Sequence, residues 1–344
     1  MSADALNSRW LLAAFPRGRI QPGDFQWSQI PLPEPGDGQV LVRNIYLSLD
    51  PTNRLWASGR TSYLPALKLG DVMRGITLGV VSASRDPKFA VGDYVTGALG
   101  WQSYALARGG ELARLPRAGR LPLTAYLSVL GSSGLTAYFG LLEIGKACAG
   151  ETVLVSAAAG SVGSLVAQIA KAQGCHVVGI AGSDDKCRWL REELRIDAAI
   201  NYRTQALAEA IARHCPGGVD VYFDNVGGET LDAAMGAIAL RGRIVLCGLI
   251  SQYNDERPQQ LLTNLGRFLV QRGRMEAFIV IDYLPRAREA HAALSKWLQA
   301  GQLHYRVDVV AGLEQAPAAL ERLFTGTNQG KQLVQISAES LAGA

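Results

Sequence analysis

Short apolar and alternating runs fill the first third of the chain, and turn residues separate them. The runs are "RWLLAAF", "FQWSQIPL", "QVLVRNIYLSL" and "VGDYVTGALGWQSYALA". Their lengths and alternation are typical of strands, and proline, glycine and aspartate punctuate them in "PLPEPGDGQ" and "AVGDY". This region therefore predicts a β-rich domain of barrel-like or sandwich type.

From about Leu127 the pattern changes to strands and helices in alternation. The stretch "AYLSVLGSSGLTAYFGLLEIG" predicts a helix with a glycine break. The later apolar runs predict strands at 153–155, 176–180, 199–202, 219–223, 243–247 and 276–280, and helices at 162–173 and 184–194. Alternation of this kind predicts a right-handed, doubly wound parallel sheet with helices on both faces. The tail returns to mixed helix and strand patterns in "REAHAALSKWLQAGQL", "HYRVDVV", "APAALERLFTG" and "KQLVQIS".

Composition narrows the class of protein. A chain of 344 residues favours about two domains, and 48% hydrophobic against 19% charged residues favours a soluble globular protein. The net charge of +4 does not favour nucleic acid over a small anion, so no nucleic-acid partner is expected. The N-terminus has no long apolar core of a signal peptide, and the apolar stretch 152–170 divides into strand, turn and helix, so no membrane span is expected. Five scattered cysteines show no disulfide spacing, which favours a reducing cytoplasm.

The most informative motif is "VLVSAAAGSVG", a glycine-rich turn between an apolar strand and a helix. It resembles the dinucleotide fingerprint G-x-G-x-x-G with Ala157 in place of the first glycine. Gly160 allows close approach of a pyrophosphate, and Gly163 allows the helix to pack against the strand. We expect Ala157 to be tolerated if its backbone stays in an ordinary region of φ and ψ. A tightly packed turn that binds nothing is the alternative.

The strand that follows the glycine-rich turn and its helix indicates which dinucleotide binds. NAD-binding proteins place an acidic residue at its end, but "HVVGIAGSDDK" ends at Ala181 and Gly182. Ser183 and the acidic residues after it read as the cap and first turn of the next helix. Gly182 and Ser183 leave space for a 2′-phosphate that Lys186 can reach, which favours NADP(H), although an exposed helix lysine is the commoner reading of Lys186 alone.

No metal site is expected. The first 147 residues contain neither cysteine nor histidine, and His176, His214, His291 and His304 have no metal-ligand spacing. Without a Lewis acid to deprotonate an alcohol, hydride transfer is easier to a C=C bond conjugated to a carbonyl. The charge that develops on the oxygen then needs only a hydrogen-bond donor such as tyrosine.

Eight motifs in order resemble the zinc-free medium-chain reductases of the prostaglandin reductase, leukotriene hydroxydehydrogenase and curcumin reductase type. They are "YLSLDP", "GLTAYFGLLEIG", "AAAGSVGS", "GSDDKC", "YFDNVGG", "CGLISQYN", "RMEAFIV" and "NQGKQLV". The resemblance implies an α/β fold with a Rossmann NADP(H)-binding domain at 128–302 and a β-rich GroES-like catalytic domain formed by 1–127 and 303–344. It also implies a homodimer that pairs through the strand around "MEAFIV".

The resemblance further implies site residues. Those for the cofactor are Gly160, Ser161, Val162, Gly163, Gly182, Ser183, Lys186, Tyr202, Asn225, Cys247, Gly248, Tyr253, Phe278, Ile279, Val280, Asn328 and Thr136. Those for the substrate are Thr52, Tyr63, Ser132, Ser133 and Tyr253, with Tyr253 as the catalytic residue. Plainer readings stay open: Cys247 as a buried strand thiol, Phe278–Val280 as a core strand, Asn225 as a turn former and Tyr202 as a surface aromatic.

Two departures from the family pattern concern the substrate. The family motif Leu-Ser-x-Asp-Pro-Tyr-Met-Arg reads "LSLDPTNR" here, so Thr52 and Asn53 replace Tyr and Met. The usual Gly-Met-Pro-Gly reads "GSSG", with Ser132 and Ser133 in the middle. Both changes predict a wider or more polar pocket. The leading hypothesis is an NADPH-dependent reductase of α,β-unsaturated ketones or aldehydes; a quinone reductase and a non-catalytic NADPH-binding protein are the alternatives.

Overall fold

The computed structural model describes residues 6–116, 121–255 and 262–340, and these form two compact units. The first unit runs to Leu127 and resumes at Val307, and the second is Ser128–Arg306. The chain thus returns to the first unit four residues later than 303.

The strands are, in chain order, β1 Leu6–Leu12, β2 Phe25–Pro31, β3 Gln39–Ser48, β4 Ile76–Ser84, β5 Tyr94–Gly97, β6 Tyr104–Arg108, β7 Leu112–Arg114, β8 Thr152–Val155, β9 His176–Ala181, β10 Ala198–Asn201, β11 Val219–Asp224, β12 Ile238–Leu246, β13 Arg274–Ala277, β14 Val307–Ala311 and β15 Lys331–Gln335. The α-helices are α1 Thr52–Trp56, α2 Ser132–Phe139, α3 Ser161–Ala172, α4 Asp184–Glu192, α5 Leu207–His214, α6 Gly228–Gly236, α7 Leu265–Val270, α8 Ala287–Gln299 and α9 Ala316–Thr325. A π-helical turn, Gly140–Ile144, follows α2 within the stretch for which the sequence predicted a helix with a glycine break.

The first unit is built around β3, whose every residue except Gln39 is buried. Strand β3 pairs antiparallel with β15, β4 and β6 within a seven-stranded sheet. One face packs on a core that includes Leu12, Leu47, Trp101 and Leu320, so the C-terminal segment contributes to the same core as the first strands. Strands buried on both sides of the backbone read as continuous apolar runs, as "VLV" in β3 does.

The second unit contains a parallel six-stranded sheet with the order β10-β9-β8-β11-β12-β13. This is the doubly wound strand order. The chain adds strands outward on one side of β8 and then returns to add β11 and the later strands on the other side, so the order reverses between β8 and β11. Val155 of β8 is in register with Gly179 of β9 and with Phe223 of β11. The loops after β8 and β11 therefore leave the same edge of the sheet side by side, where this fold binds its ligands.

The predicted bounds of two strands were wrong. Strand β12 begins at Ile238, five residues before the predicted 243, and β13 is Arg274–Ala277 instead of 276–280. Phe278 and Ile279 consequently lie past the end of β13, and Val280 begins a 3-10 helix that extends to Arg286. None of the helices in the described parts of the chain has both the length and the apolar composition needed to cross a membrane.

Candidate functional site

The glycine-rich loop joins β8 to α3 at the point where the strand order reverses. Gly160 is the N-cap of α3 and, as a glycine, supplies no side-chain cap to that helix. A Cβ atom built on Gly163 would lie 2.4 Å from the carbonyl oxygen of Ala157, so glycine is what lets α3 pack against the loop. The peptide N–H groups of Ser161, Val162 and Gly163 and the positive end of the helix dipole suit an anionic group such as a pyrophosphate.

Ala157 does not have the ordinary backbone that we expected of it. Its φ is +47°, in the left-handed region that costs a residue with a Cβ roughly 1–2 kcal/mol. The condition under which we expected alanine to be tolerated here is therefore not met, and Ala157 adopts a conformation that glycine reaches more easily.

The end of β9 leads into a capped helix, as the sequence predicted. The Ser183 hydroxyl accepts a hydrogen bond from the backbone N–H of Lys186 at 3.3 Å and caps α4. Asn201 Nδ2 donates to Asp184 Oδ1 at 2.7 Å, so this carboxylate already has a protein donor. Since no acidic residue ends β9 itself, this edge lacks the group that holds a ribose 2′-hydroxyl in NAD-binding proteins.

Tyr202 lies against Gly182 beside this helix start. A Cβ atom on Gly182 would approach the Tyr202 ring to 3.0 Å, and 49% of the tyrosine is exposed. The guanidinium of Arg203 lies 5.8 Å from the centroid of the same ring. Sequence reasoning missed Arg203, although a cation directly after Tyr202 at the end of β10 was a usable signal.

Asp224 is the polar centre of the loops after β8 and β11, and sequence reasoning missed this role. Its buried carboxylate accepts hydrogen bonds from the hydroxyls of Ser156 and Tyr222 at 3.1 and 2.7 Å, and from the N–H groups of Val226 and Gly227 at 2.9 and 3.0 Å. Burial raises the pKa of Asp224, and the donated hydrogen bonds oppose that shift. The network fixes the end of β11 relative to the glycine-rich loop.

Asn225 is held by the same loop. Its N–H donates to Ser156 Oγ at 2.9 Å, and its Nδ2 donates to Ser156 O at 2.8 Å. Cys247 and Gly248 donate their N–H groups to the carbonyl oxygen of Asp224 at 2.9 and 3.1 Å, so the segment after β12 lies beside the segment after β11. Burial, with a smaller contribution from the charge of Asp224, raises the pKa of Cys247 to about 12, which keeps the thiol protonated at neutral pH.

Tyr253 folds back onto this segment. Its hydroxyl oxygen accepts a hydrogen bond from the N–H of Leu249 at 3.1 Å, and a Cβ atom on Gly248 would lie 3.3 Å from that oxygen. A phenolic hydroxyl can act both as an acceptor and as a donor.

Phe278 packs inside the second unit. It is 9% exposed, its ring meets Tyr283 edge-on at 6.1 Å, and its Cζ would lie 2.6 Å from a Cβ atom on Gly140. Ile279 and Val280 are half-buried after it. Phe278 is thus a core side chain, although it does not lie in the core strand of the plainer reading, because β13 ends at Ala277.

The serines and threonine near α2 differ in exposure. Ser132 is exposed, Thr136 is half-buried, and Ser133 is 2% exposed. The hydroxyl of Ser133 accepts a hydrogen bond from Ser161 Oγ at 2.7 Å, so it lies against the glycine-rich loop.

In the first unit, Thr52 and Tyr63 belong to one polar and aromatic group with Trp56. Trp56 Nε1 donates to the Tyr63 hydroxyl at 3.2 Å. Burial raises the pKa of Tyr63, and hydrogen bonds with Trp56 and Thr52 oppose the shift. Asn53, the second departure in "LSLDPTNR", is only 1% exposed, and its Oδ1 accepts from Asp50 N at 2.7 Å. Asn53 therefore supports its own turn.

The returning segment of the first unit positions Asn328 and Lys331. Asn328 is buried and donates from Nδ2 to Gly330 O at 3.0 Å. Lys331 is also buried and forms an ion pair with Asp50. In residues 6–116, 121–255 and 262–340, no three His, Cys, Asp or Glu side chains form a group able to hold a metal ion.

Comparison with known proteins gives matches along both units. Residues 8–115 match the family described as "N-terminal domain of oxidoreductase", and residues 161–300 match the family described as "Zinc-binding dehydrogenase". The NADPH-dependent curcumin reductase of Escherichia coli K12 is 39% identical over 97% of this chain and 98% of its own length. The chain belongs to the medium-chain dehydrogenase/reductase family.

Within this family the chain groups with the curcumin and prostaglandin reductases. The NADP(+)-dependent 2-alkenal reductase of Nicotiana tabacum is 39% identical over 98% of this chain and all of its own length. The crystal structure of CurA from Vibrio vulnificus in complex with NADPH is 40% identical, covers 96% of this chain and 99% of its own, and has a TM-score of 0.90. The predicted family and the predicted α/β fold, with a Rossmann sheet and a β-rich catalytic domain, are confirmed.

Proposed function

We infer that this protein is an NADPH-dependent oxidoreductase that reduces the C=C bond of α,β-unsaturated ketones or aldehydes without a metal ion. The observation that carries this inference is its similarity, along nearly its whole length, to reductases named for curcumin and for 2-alkenals. These substrates share a C=C bond conjugated to a carbonyl, which is the acceptor that the sequence favoured.

The residues at the edge of the Rossmann sheet fit NADP(H). Gly160, which has no side chain, and the backbone N–H groups at the start of α3 suit the pyrophosphate, and Gly163 lets α3 pack close to the loop. Tyr202 and Lys186 hold the 2′-phosphate, and Arg203 adds a third candidate beside them. When bound, NADPH supplies the hydride that adds to the β-carbon of the substrate.

Other residues complete the cofactor assignment. Gly182 and Ser183 leave space around the adenosine end, and the loop from Cys247 to Gly248, together with Asn225, contacts the nicotinamide half. Thr136, Ile279, Val280 and Asn328 remain proposed cofactor contacts, whereas we give Phe278 a supporting role because its ring is packed in the core.

Tyr253 is the proposed catalytic residue. Its hydroxyl oxygen accepts a hydrogen bond from the N–H of Leu249, and a phenol is also a hydrogen-bond donor. It donates a hydrogen bond to the carbonyl oxygen as negative charge develops there, and solvent or the same hydroxyl supplies the proton to the α-carbon. Thr52, Tyr63 and Ser132 remain the proposed substrate contacts.

We also propose a homodimer formed through the outer edge of the Rossmann sheet. Strand β13 ends the sheet, and all four of its residues are exposed. Large apolar side chains near it are also exposed, with Leu269 at 77%, Val270 at 66% and Leu240 at 57%. An exposed edge strand with exposed apolar side chains beside it favours pairing with a second chain. Sedimentation equilibrium at micromolar concentration checks this, and a monomer would exclude it.

The five cysteines are free thiols, which favours a reducing compartment such as the cytoplasm.

The proposed reaction is tested with a panel of enones, enals and quinones at saturating NADPH, with products identified by mass spectrometry. We expect saturated ketones or aldehydes. Hydroquinone formation without any C=C saturation would favour the quinone reductase, and tight NADPH binding with no turnover would favour a non-catalytic protein.

A further inference from the structure

The hydrogen bond between Ser133 and Ser161 connects two helix starts in the second unit. Ser133 is in the first turn of α2, and Ser161 is the first residue of α3, directly after Gly160. The two oxygens are 2.7 Å apart, and Ser133 is 2% exposed. A hydroxyl buried to this degree interacts with the protein and not with bulk water, so its bond to Ser161 holds that side chain in one orientation.

The residue type at 133 makes this bond possible. The related family motif has proline at the corresponding place, and a proline side chain has no hydrogen-bonding group. The serine pair is therefore a feature of this chain's own sequence, "GSSG" with "GSVG".

The chemistry of two hydroxyls explains what the pair can do next to an anion. Each hydroxyl has one donor and two acceptor sites, and its hydrogen rotates to suit its partners. If Ser161 donates to an anionic oxygen, its own oxygen is free to accept from Ser133. The pair can therefore reverse its direction without moving either oxygen. A donor held in place before binding loses less entropy on binding than a freely rotating one.

We propose that Ser133 is a positioning residue for NADPH: it holds the Ser161 hydroxyl so that Ser161 donates to the cofactor pyrophosphate. This rests on the proposed function in one respect, the identity of the cofactor. Ser133 thus acts through Ser161 on cofactor affinity and has no contact with the substrate, which replaces its predicted place in the substrate pocket.

The experiment is a double-mutant cycle on the dissociation constant of NADPH, measured by fluorescence titration without substrate. The variants are Ser133→Ala, Ser161→Ala and the double variant. Ser82→Ala is the matched control, because it removes one hydroxyl that donates to Leu41 O in the first unit. The net value of one hydrogen bond corresponds to about a three- to tenfold increase in Kd for each single variant.

If Ser133 acts only through Ser161, the double variant binds NADPH as Ser161→Ala does, within a factor of 1.5. The KM for NADPH rises in Ser133→Ala while kcat at saturating NADPH stays within twofold of wild type, a split that general loss of structure would not produce. The proposal is overturned if Ser133→Ala leaves Kd within 1.5-fold of wild type, or if the two single effects multiply in the double variant. Absence of C=C reduction in the wild type would instead contradict the proposed function, because the binding cycle needs no turnover.

Discussion

Gly163→Ala tests whether the loop geometry itself binds the cofactor. The added Cβ would lie 2.4 Å from Ala157 O and 2.9 Å from the Cα of Ala158, whereas carbon and oxygen approach to about 3.3 Å in close native contacts. Relief needs a backbone shift of roughly 1 Å. Helix α3 is anchored by the fully buried Leu165 and Val166, so we expect the loop to move.

Two opposing contributions determine how much stability Gly163→Ala loses. Overpacking costs about 1–3 kcal/mol, and replacing glycine by alanine in a helix gains about 1 kcal/mol, so the net loss of stability is about 0–2 kcal/mol. Cofactor binding suffers more, because one lost hydrogen bond to a charged group is worth about 1.5–3 kcal/mol. That loss corresponds to a Kd for NADPH about 10- to 100-fold weaker than wild type.

The assay combines thermal unfolding with NADPH titration of Gly163→Ala and a control, Gly266→Ala. Gly266 is in helix α7, and a Cβ atom there would meet nothing within 4 Å. We expect the control to keep wild-type affinity. If Gly163→Ala binds NADPH within twofold of wild type and unfolds no lower than the control, the reasoning about the loop is wrong.

Three further predictions concern the catalytic, phosphate and structural residues. Tyr253→Phe should lower kcat by at least about tenfold through loss of the donor to the developing oxyanion, with NADPH affinity retained; turnover within twofold of wild type would remove Tyr253 from the mechanism. Lys186→Ala should raise the KM for NADPH about tenfold and leave that for NADH unchanged, because only NADPH has the 2′-phosphate; equal effects on both cofactors would contradict the assignment. Partial burial raises the pKa of Glu151, but hydrogen bonds from Arg243 at 2.7 and 2.8 Å and from Cys148 N hold it below the ordinary 4.5. Because the folded-state pKa is depressed, the stabilisation is complete above pH 4.5 and is lost as pH falls through the folded pKa; the Tm difference between wild type and Glu151→Gln should shrink over that range, and a constant difference would refute the linkage.

Local sequence determined much of this protein. The strand–glycine–helix order of "VLVSAAAGSVG" and the cap in "GSDDK" depend on neighbouring residues, so pattern reasoning placed β8, α3 and the start of α4 within one or two residues. The alternation of apolar strands and helices likewise determined a parallel doubly wound sheet, because strands covered on both faces must be apolar throughout. The end of β13 was misplaced, since an apolar stretch such as "AFIV" does not show where its pairing with β12 stops.

Other features exist only because distant segments meet. The left-handed backbone of Ala157 is one such feature, because no local preference of alanine favours it and the residue lies against Gly163 of α3. The carboxylate of Asp224 links the two loops because the hydroxyl of Ser156, 68 residues earlier, lies 3.1 Å from it and donates a hydrogen bond. The bond from Ser161 to Ser133 spans 28 residues in the same way. Sequence thus determined the elements and the type of loop, whereas tertiary structure decided which polar side chains share a hydrogen bond. Such a bond forms only if the donor and the acceptor are placed to within a few tenths of an ångström, and here they belong to segments that are far apart in the chain.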